Sequence, residues 1–510
     1  MYIGAFNLIQ FIDDLSMNFV SGYFLLFVFW LFLFYYTAEI QHRWKVLLAG
    51  SFLFVLLGGG WMVTLVPVLA TGVAYMAAIA IENTEKKEKR KRKYWVSSAV
   101  LTLLAALAIS KVNILEPWRT IDFIFPIGIS YYTFSLVAYV ADVYWKRDKA
   151  EVSYWRLLLF TLWFPKILQG PIARHKNLGK QLVCGHVFSY DNLGAGLQLM
   201  LWGYFKKIVV ADRLIVLVQS SFGNYHEHGG ALVLCMIVLA AFQLYFDFSG
   251  CVDIARGISR VFGIDLEQNF NHPFFAQNAA EFWRRWHMTL SSWFLDYVYM
   301  PILISPTLMK ICRFFSNKYG RRISMAVRTI IPVSIVWVFT SMWHGTTANF
   351  MVWGCYWGGL IIIGTIFNEE FGQLARFLRI NREASSWKAL QMVRVFMIFA
   401  VGHFISMNCM VEDSWQMARK IFMDIRPWEL LDGTLYNLGL DRVNFEIAIG
   451  GIVFIMAVEV VQTKLDIRRA VREWNVVVRS FVYAMAVLLV LIFGVWGPEY
   501  NAAAFAYMNF

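Results

Sequence analysis

Long apolar runs follow one another along almost the whole chain, near residues 20–38, 46–64, 65–82, 95–110, 120–140, 154–172 and 193–219, then 231–248, 281–303, 324–343, 350–367, 393–411, 445–463 and 478–496. A helix that crosses the hydrocarbon core takes roughly 20 such residues, so the runs predict about 11 to 14 helices. Some should be short or re-entrant, because irregular backbone at membrane depth is tolerated only where protein or a water-filled cavity covers it. The expected fold is all-α, a polytopic transmembrane helical protein. Composition agrees: of 510 residues, 59% are hydrophobic and 16% charged, against roughly 25% charged in soluble domains. No internal repeat, low-complexity linker or soluble segment stands out, so residues 1–510 are expected to form one integral membrane domain.

The net charge of +12 sits in short loops between the runs rather than on a soluble face. It fits the cytoplasmic excess of Lys and Arg and contact with anionic lipid, and it does not call for nucleic acid. Asp13 and Asp14 precede the first helix, whereas Arg43 and Lys45 follow it, which places the N-terminus outside the cytoplasm. A helical pair then returns the chain to the cytoplasm at the basic run Lys86 to Lys93, and two more spans return it at Lys146, Arg147 and Lys149. Lys310 to Arg322 and Lys464 to Arg472 should be cytoplasmic too. The start of the chain lacks the cationic region of a cleaved signal, so the first helix is expected to remain as an anchor. Multi-pass insertion in the inner, cytoplasmic membrane is the expected location. The six cysteines (184, 235, 251, 312, 355 and 409) are scattered without metal or disulfide spacing and read as small core residues. No metal site is expected.

Ionisable residues inside membrane runs mark functional sites by default. Two Trp-His pairs meet that description, Trp286-His287 and Trp343-His344, 57 residues apart. On one continuous helix His287 would share a face with Trp283, Leu290, Ser291 and Phe294, with Asp296 on the opposite side. His344 is followed by Gly345 and then by Thr346, Thr347 and Asn349, a polar turn that would let it face a substrate cavity. Neutral imidazole suits removal of a proton from a hydroxyl as its oxygen attacks a thioester, because its pKa lies near the operating pH. His403 is a weaker third candidate, and the remaining six histidines sit in loop-like contexts. In the segment Gln243 to Gly257, Asp253 and Arg256 are spaced to neutralise one another on a helix, and Ser249-Gly250 is expected to break that helix. No Ser-His-Asp or Cys-His pattern is evident, which favours direct transfer over an acyl-enzyme.

Several segments resemble the membrane-bound O-acyltransferase family, in particular its bacterial alginate O-acetyltransferase-like branch. They are Phe-Pro-Ile-Gly-Ile-Ser-Tyr-Tyr-Thr-Phe (125–134) with Asp142, Phe-Pro-Lys-Ile-Leu-Gln-Gly-Pro-Ile-Ala-Arg (164–174) and Phe-Lys-Lys-Ile-Val-Val-Ala-Asp-Arg-Leu (205–214). Asp-Phe-Ser-Gly (247–250) and Asn-Phe-Asn-His-Pro-Phe (269–274) follow, the last leading into the first Trp-His pair. The ordered set covers residues 120–360, roughly half of the chain. The resemblance implies a ring of helices around a tunnel, with His344 at the family's near-invariant histidine and His287 at its second, more variable position. It also implies an acyl group, expected to be acetyl, passed from a cytosolic thioester (acetyl-CoA or an acyl carrier protein, as co-substrate rather than bound cofactor) toward a secreted or envelope polysaccharide. An extracytoplasmic partner protein would complete the transfer. Trp293-Phe294-Leu295-Asp296-Tyr297 and Gly402-His403-Phe404-Ile405-Ser406 depart from the branch pattern and mark a divergent member. Two alternatives stay open. One is a lipid acyltransferase of the same family; the other is a transporter or channel lined by Asp247, Asp253, Arg174, Arg284 and Arg285.

Overall fold

The computed structural model of the chain describes residues 17–111, 128–345, 347–407 and 411–496. Asp13, Asp14, Phe125 to Ile127, Thr346 and Cys409 lie outside the described residues. The described chain is helical, with no strand among those residues. Among the described residues, eight helices are long and apolar enough to cross a membrane, or nine if the bent pair Met288–Leu303 and Pro306–Tyr319 counts as one span. The protein is thus an all-α, multi-pass membrane protein. Of the cysteines expected as small core residues, Cys251 is buried, whereas Cys184 and Cys355 are exposed, which corrects the expectation for those two.

The breaks in the expected spans have local causes. The runs 46–64 and 65–82 form one element, Arg43–Asn83, kinked at Gly60, whose φ of 71° is left-handed and needs glycine. The run 154–172 splits at Trp163 into Tyr154–Leu162 and Phe164–Ile167, where Pro165 takes an early helical position.

Two compact units are present. The first comprises residues 1–208, 248–267 and 468–509. In it, helices approach with glycine against glycine: a Cβ on Gly203 would lie 2.6 Å from the Gly250 carbonyl oxygen, and one on Gly196 would lie 2.6 Å from that of Gly257. This close approach is the small-residue packing that membrane helices use in place of a hydrophobic driving force. It corrects the expected helix break at Ser249-Gly250. Gly230–Val261 is one uninterrupted helix, and its glycines make room for a neighbour instead of turning the chain. Asp253 and Arg256 do pair, at 3.6 Å, and Lys206 joins them, with Nζ 2.5 Å from Asp253 and 3.0 Å from Ser249 Oγ. The family-like residues Asp142, Lys166, Gln169 and Arg174 are buried in this unit.

The second unit comprises residues 209–247 and 268–467. It holds both Trp-His pairs. Its core is aromatic: Trp283 meets Trp337 and Trp357 with ring centroids 5.0 Å apart and Trp353 at 5.9 Å. Edge-to-face pairs of this kind add about 0.5–1.5 kcal/mol each beyond the area they bury.

Candidate active site

The two histidines expected to act together are brought together. His287 and His344 are 1% and 7% exposed, and the Trp343 ring contacts both, 6.2 Å from His287 and 4.5 Å from His344.

His287 is held by a break in the helix rather than by a helix face. The segment Ala279–Arg285 stops at Trp286, which is extended, and His287 takes a left-handed conformation with φ 44° and ψ 53° before Met288–Phe294 begins. A bulky residue in that region costs on the order of 1–3 kcal/mol and persists only where its surroundings hold it. Asn269 does so. Its carbonyl accepts from the Met288 N–H at 2.9 Å, and its side-chain oxygen accepts from the Thr289 N–H at 3.1 Å and the Thr289 hydroxyl at 2.9 Å. The two N–H groups are donors that a helix start leaves without intrahelical partners. The continuous-helix expectation is thereby corrected: Trp283 and His287 lie on different elements, and Asp296 sits in a π-helical stretch, Leu295–Tyr299.

The same oxygen fixes the imidazole. His287 Nδ1 lies 3.1 Å from Asn269 Oδ1. Because the Thr289 backbone N–H can only donate, Oδ1 is the acceptor end of the amide, and Nδ1 must carry the proton. Nε2 is then the nitrogen with the lone pair, the one able to take a proton from a substrate hydroxyl.

His344 closes the helix Arg321–His344, and its ring stands 4.7 Å from Trp353 and 6.0 Å from Phe350. Gly345 matters for space: a Cβ there would lie 2.4 Å from the Phe350 ring. Gly354 is tighter still, since a Cβ would fall 1.7 Å from Ser341 Oγ, one turn before His344. The Asn349 amide donates to the Ile405 carbonyl at 3.2 Å, tying the following helix to Ser385–Met407 beyond the turn. His403 stacks on Phe399 at 6.2 Å, and Phe399 reaches Trp286 at 4.8 Å, so this third histidine joins the aromatic wall.

Sequence reasoning missed a second buried polar group. The Tyr245 hydroxyl donates to Glu459 Oε1 at 2.5 Å, and His272 Nδ1 lies 3.7 Å from Glu459 Oε2. Glu459 is 3% exposed, and its signal was an acid inside the run 445–463. His272 had the look of a loop residue. Tyr245 also meets Trp286 at 5.9 Å, which connects this group to the first Trp-His pair. Of the five residues expected to line a transport pathway, two form ion pairs, Asp253 with Lys206 and Arg256, and Arg285 with Glu281 at 2.8 Å. Among the described residues no cluster of three His, Cys, Asp or Glu could hold a metal ion.

A helical membrane protein with two buried imidazoles flanking one indole is the class that fold and site define. The model of the membrane-bound O-acyltransferase family matches residues 146–313. A probable alginate O-acetylase of Azotobacter vinelandii is 26% identical over 433 residues, 82% of this chain and 80% of that protein. A peptidoglycan O-acetyltransferase of Helicobacter pylori is 27% identical, covering 58% of this chain and 60% of that protein. A teichoic acid D-alanyltransferase of Bacillus subtilis is 30% identical, covering 57% of this chain and 69% of that protein. The chain belongs to the membrane-bound O-acyltransferase family, as a divergent member.

Proposed function

We propose that this protein is a membrane O-acyltransferase that passes an acyl group, acetyl, from a cytosolic thioester toward hydroxyls of a secreted or cell-envelope polysaccharide. The observation that carries the proposal is the pair of buried histidines around Trp343 in a chain of this family. His344 acts as general base. It takes the proton of an acceptor hydroxyl as that oxygen attacks the thioester carbonyl; the C–O bond forms, the C–S bond breaks, and the proton passes to the departing thiolate. Such a base contributes roughly two to four powers of ten in rate. His287, with its tautomer fixed by Asn269, positions or polarises the reacting groups.

The relatives named for alginate, peptidoglycan and teichoic acid support an envelope polymer as the acceptor class. Acetyl-CoA or an acyl carrier protein would serve as donor, and an extracytoplasmic protein would finish the transfer. The loop charges support a multi-pass topology in the inner membrane with the N-terminus outside.

The test is the O-acyl content of envelope and secreted polysaccharide in cells carrying wild type, His344→Ala or no copy, at matched membrane levels. Loss of acyl groups in both altered strains supports the proposal. Unchanged content in both strains contradicts it, and labelled donor appearing in phospholipid would assign a lipid acceptor instead.

A further inference from the structure

Asn269 is fully buried, and its two amide ends are used unequally. The oxygen accepts from the Thr289 N–H, the Thr289 hydroxyl and His287 Nδ1. The nitrogen of the same amide is buried and has no hydrogen-bond partner. A flip of the amide would not relieve this, since the Thr289 N–H would then face an NH2 group. Leaving a buried donor without an acceptor costs its full desolvation penalty. A backbone carbonyl and a side-chain oxygen that together hold the start of the helix at His287 are an expensive place to carry that cost. Such groups warrant an explanation in the chemistry of the site.

We propose that the Asn269 carboxamide N–H donates to the acyl oxygen in the transition state, making Asn269 an oxyanion-stabilising residue beside His287. The proposal rests on the acyl-transfer reading above. As the acceptor oxygen bonds to the thioester carbon, the carbonyl π pair moves onto oxygen, where the Asn269 N–H receives it. The pair then re-forms C=O as the C–S bond breaks, and the thiolate takes the proton that the histidine had removed. A donor already fixed in direction requires no reorganisation when the charge appears, the property that makes oxyanion donors effective. The acceptor end of the amide sets the His287 tautomer and the donor end serves the reacting carbonyl, so one side chain fixes His287 and the electrophile relative to each other.

The experiment uses the full chain in permeabilised cells of the deletion strain, which supply the extracytoplasmic partner and the unacetylated polysaccharide, with acetyl-CoA or an acetyl-loaded carrier protein as donor; the melting temperature is read on the purified chain. Thiol release and polymer acetylation are read together. Asn269→Asp keeps an acceptor for Thr289 and for His287 Nδ1–H but removes the N–H. The expected result is a kcat lower by about 10²–10³ with KM within threefold, and a melting temperature in detergent close to wild type. If Asn269 only positions His287, Asn269→Asp keeps kcat within threefold and shifts the pH profile through the added charge, and the proposal falls. Should that variant fail to fold, Asn269→Ser takes its place: any folded variant without the amide nitrogen and with kcat within threefold of wild type overturns the proposal. A wild-type protein that releases no thiol and acetylates no polymer overturns the acyl-transfer reading itself.

Discussion

Removing the negative charge of Asp253 should damage the protein far more than removing its closest cation. Lys206 lies 2.5 Å and Arg256 3.6 Å from this carboxylate, and the Lys206, Asp253 and Arg256 side chains are 4%, 15% and 20% exposed. At an effective dielectric of about 20, the gross attractions are roughly 7 and 5 kcal/mol, most of it offset by desolvation. Asp253→Asn keeps an acceptor oxygen but leaves two cations without their counter-charge, a net cost of about 3–5 kcal/mol. Lys206→Met leaves Asp253 still paired with Arg256, and costs about 1–2 kcal/mol, including the lost bond to Ser249. The double variant should recover about 2 kcal/mol of the sum, because the two residues share one interaction. Denaturant midpoints of the purified protein in detergent, followed by tryptophan fluorescence, give the ranking. Equal damage from the two single variants, or strict additivity in the double, would refute the assignment of Asp253 as the shared counter-ion.

Gly354→Ala should destabilise the protein by about 1–3 kcal/mol through overpacking, and Ser341→Ala in the same chain should restore part of it, since Ser341 Oγ is the atom in the way; thermal melting reads both. Tyr245→Phe removes the 2.5 Å bond to buried Glu459, with an expected loss of about 1–3 kcal/mol in the same assay. For topology, in a background without the six native cysteines, a membrane-impermeant maleimide applied to spheroplasts should label Trp428→Cys, at a site 60% exposed, and spare Lys89→Cys. The reverse pattern would invert the assigned orientation.

Much of the fold was legible because hydropathy reports spans directly, and the Trp-His pairs were legible because a histidine in an apolar run stands out. What sequence did not disclose depended on three-dimensional partners. Ser249-Gly250 has the composition of a turn, yet the glycine serves a neighbouring helix, and periodicity carries no information about which neighbour approaches. The Asp253–Arg256 pair was visible from its i, i+3 spacing; Lys206, 47 residues away, was not. Asn269 lies 18 residues before His287, and its role arises because the chain breaks at Trp286. A continuous-helix projection could only have paired His287 with residues on its own face.

The most direct test of the central claim is acyl transfer from radiolabelled acetyl thioester to polysaccharide in permeabilised cells of the deletion strain, which supply the extracytoplasmic partner, carrying wild type, His344→Ala or His344→Gln at matched levels. The account predicts label moving to the polymer in wild type, and loss of about two to four powers of ten in rate in both variants while donor binding is kept. Transfer at the wild-type rate by either folded variant would contradict it.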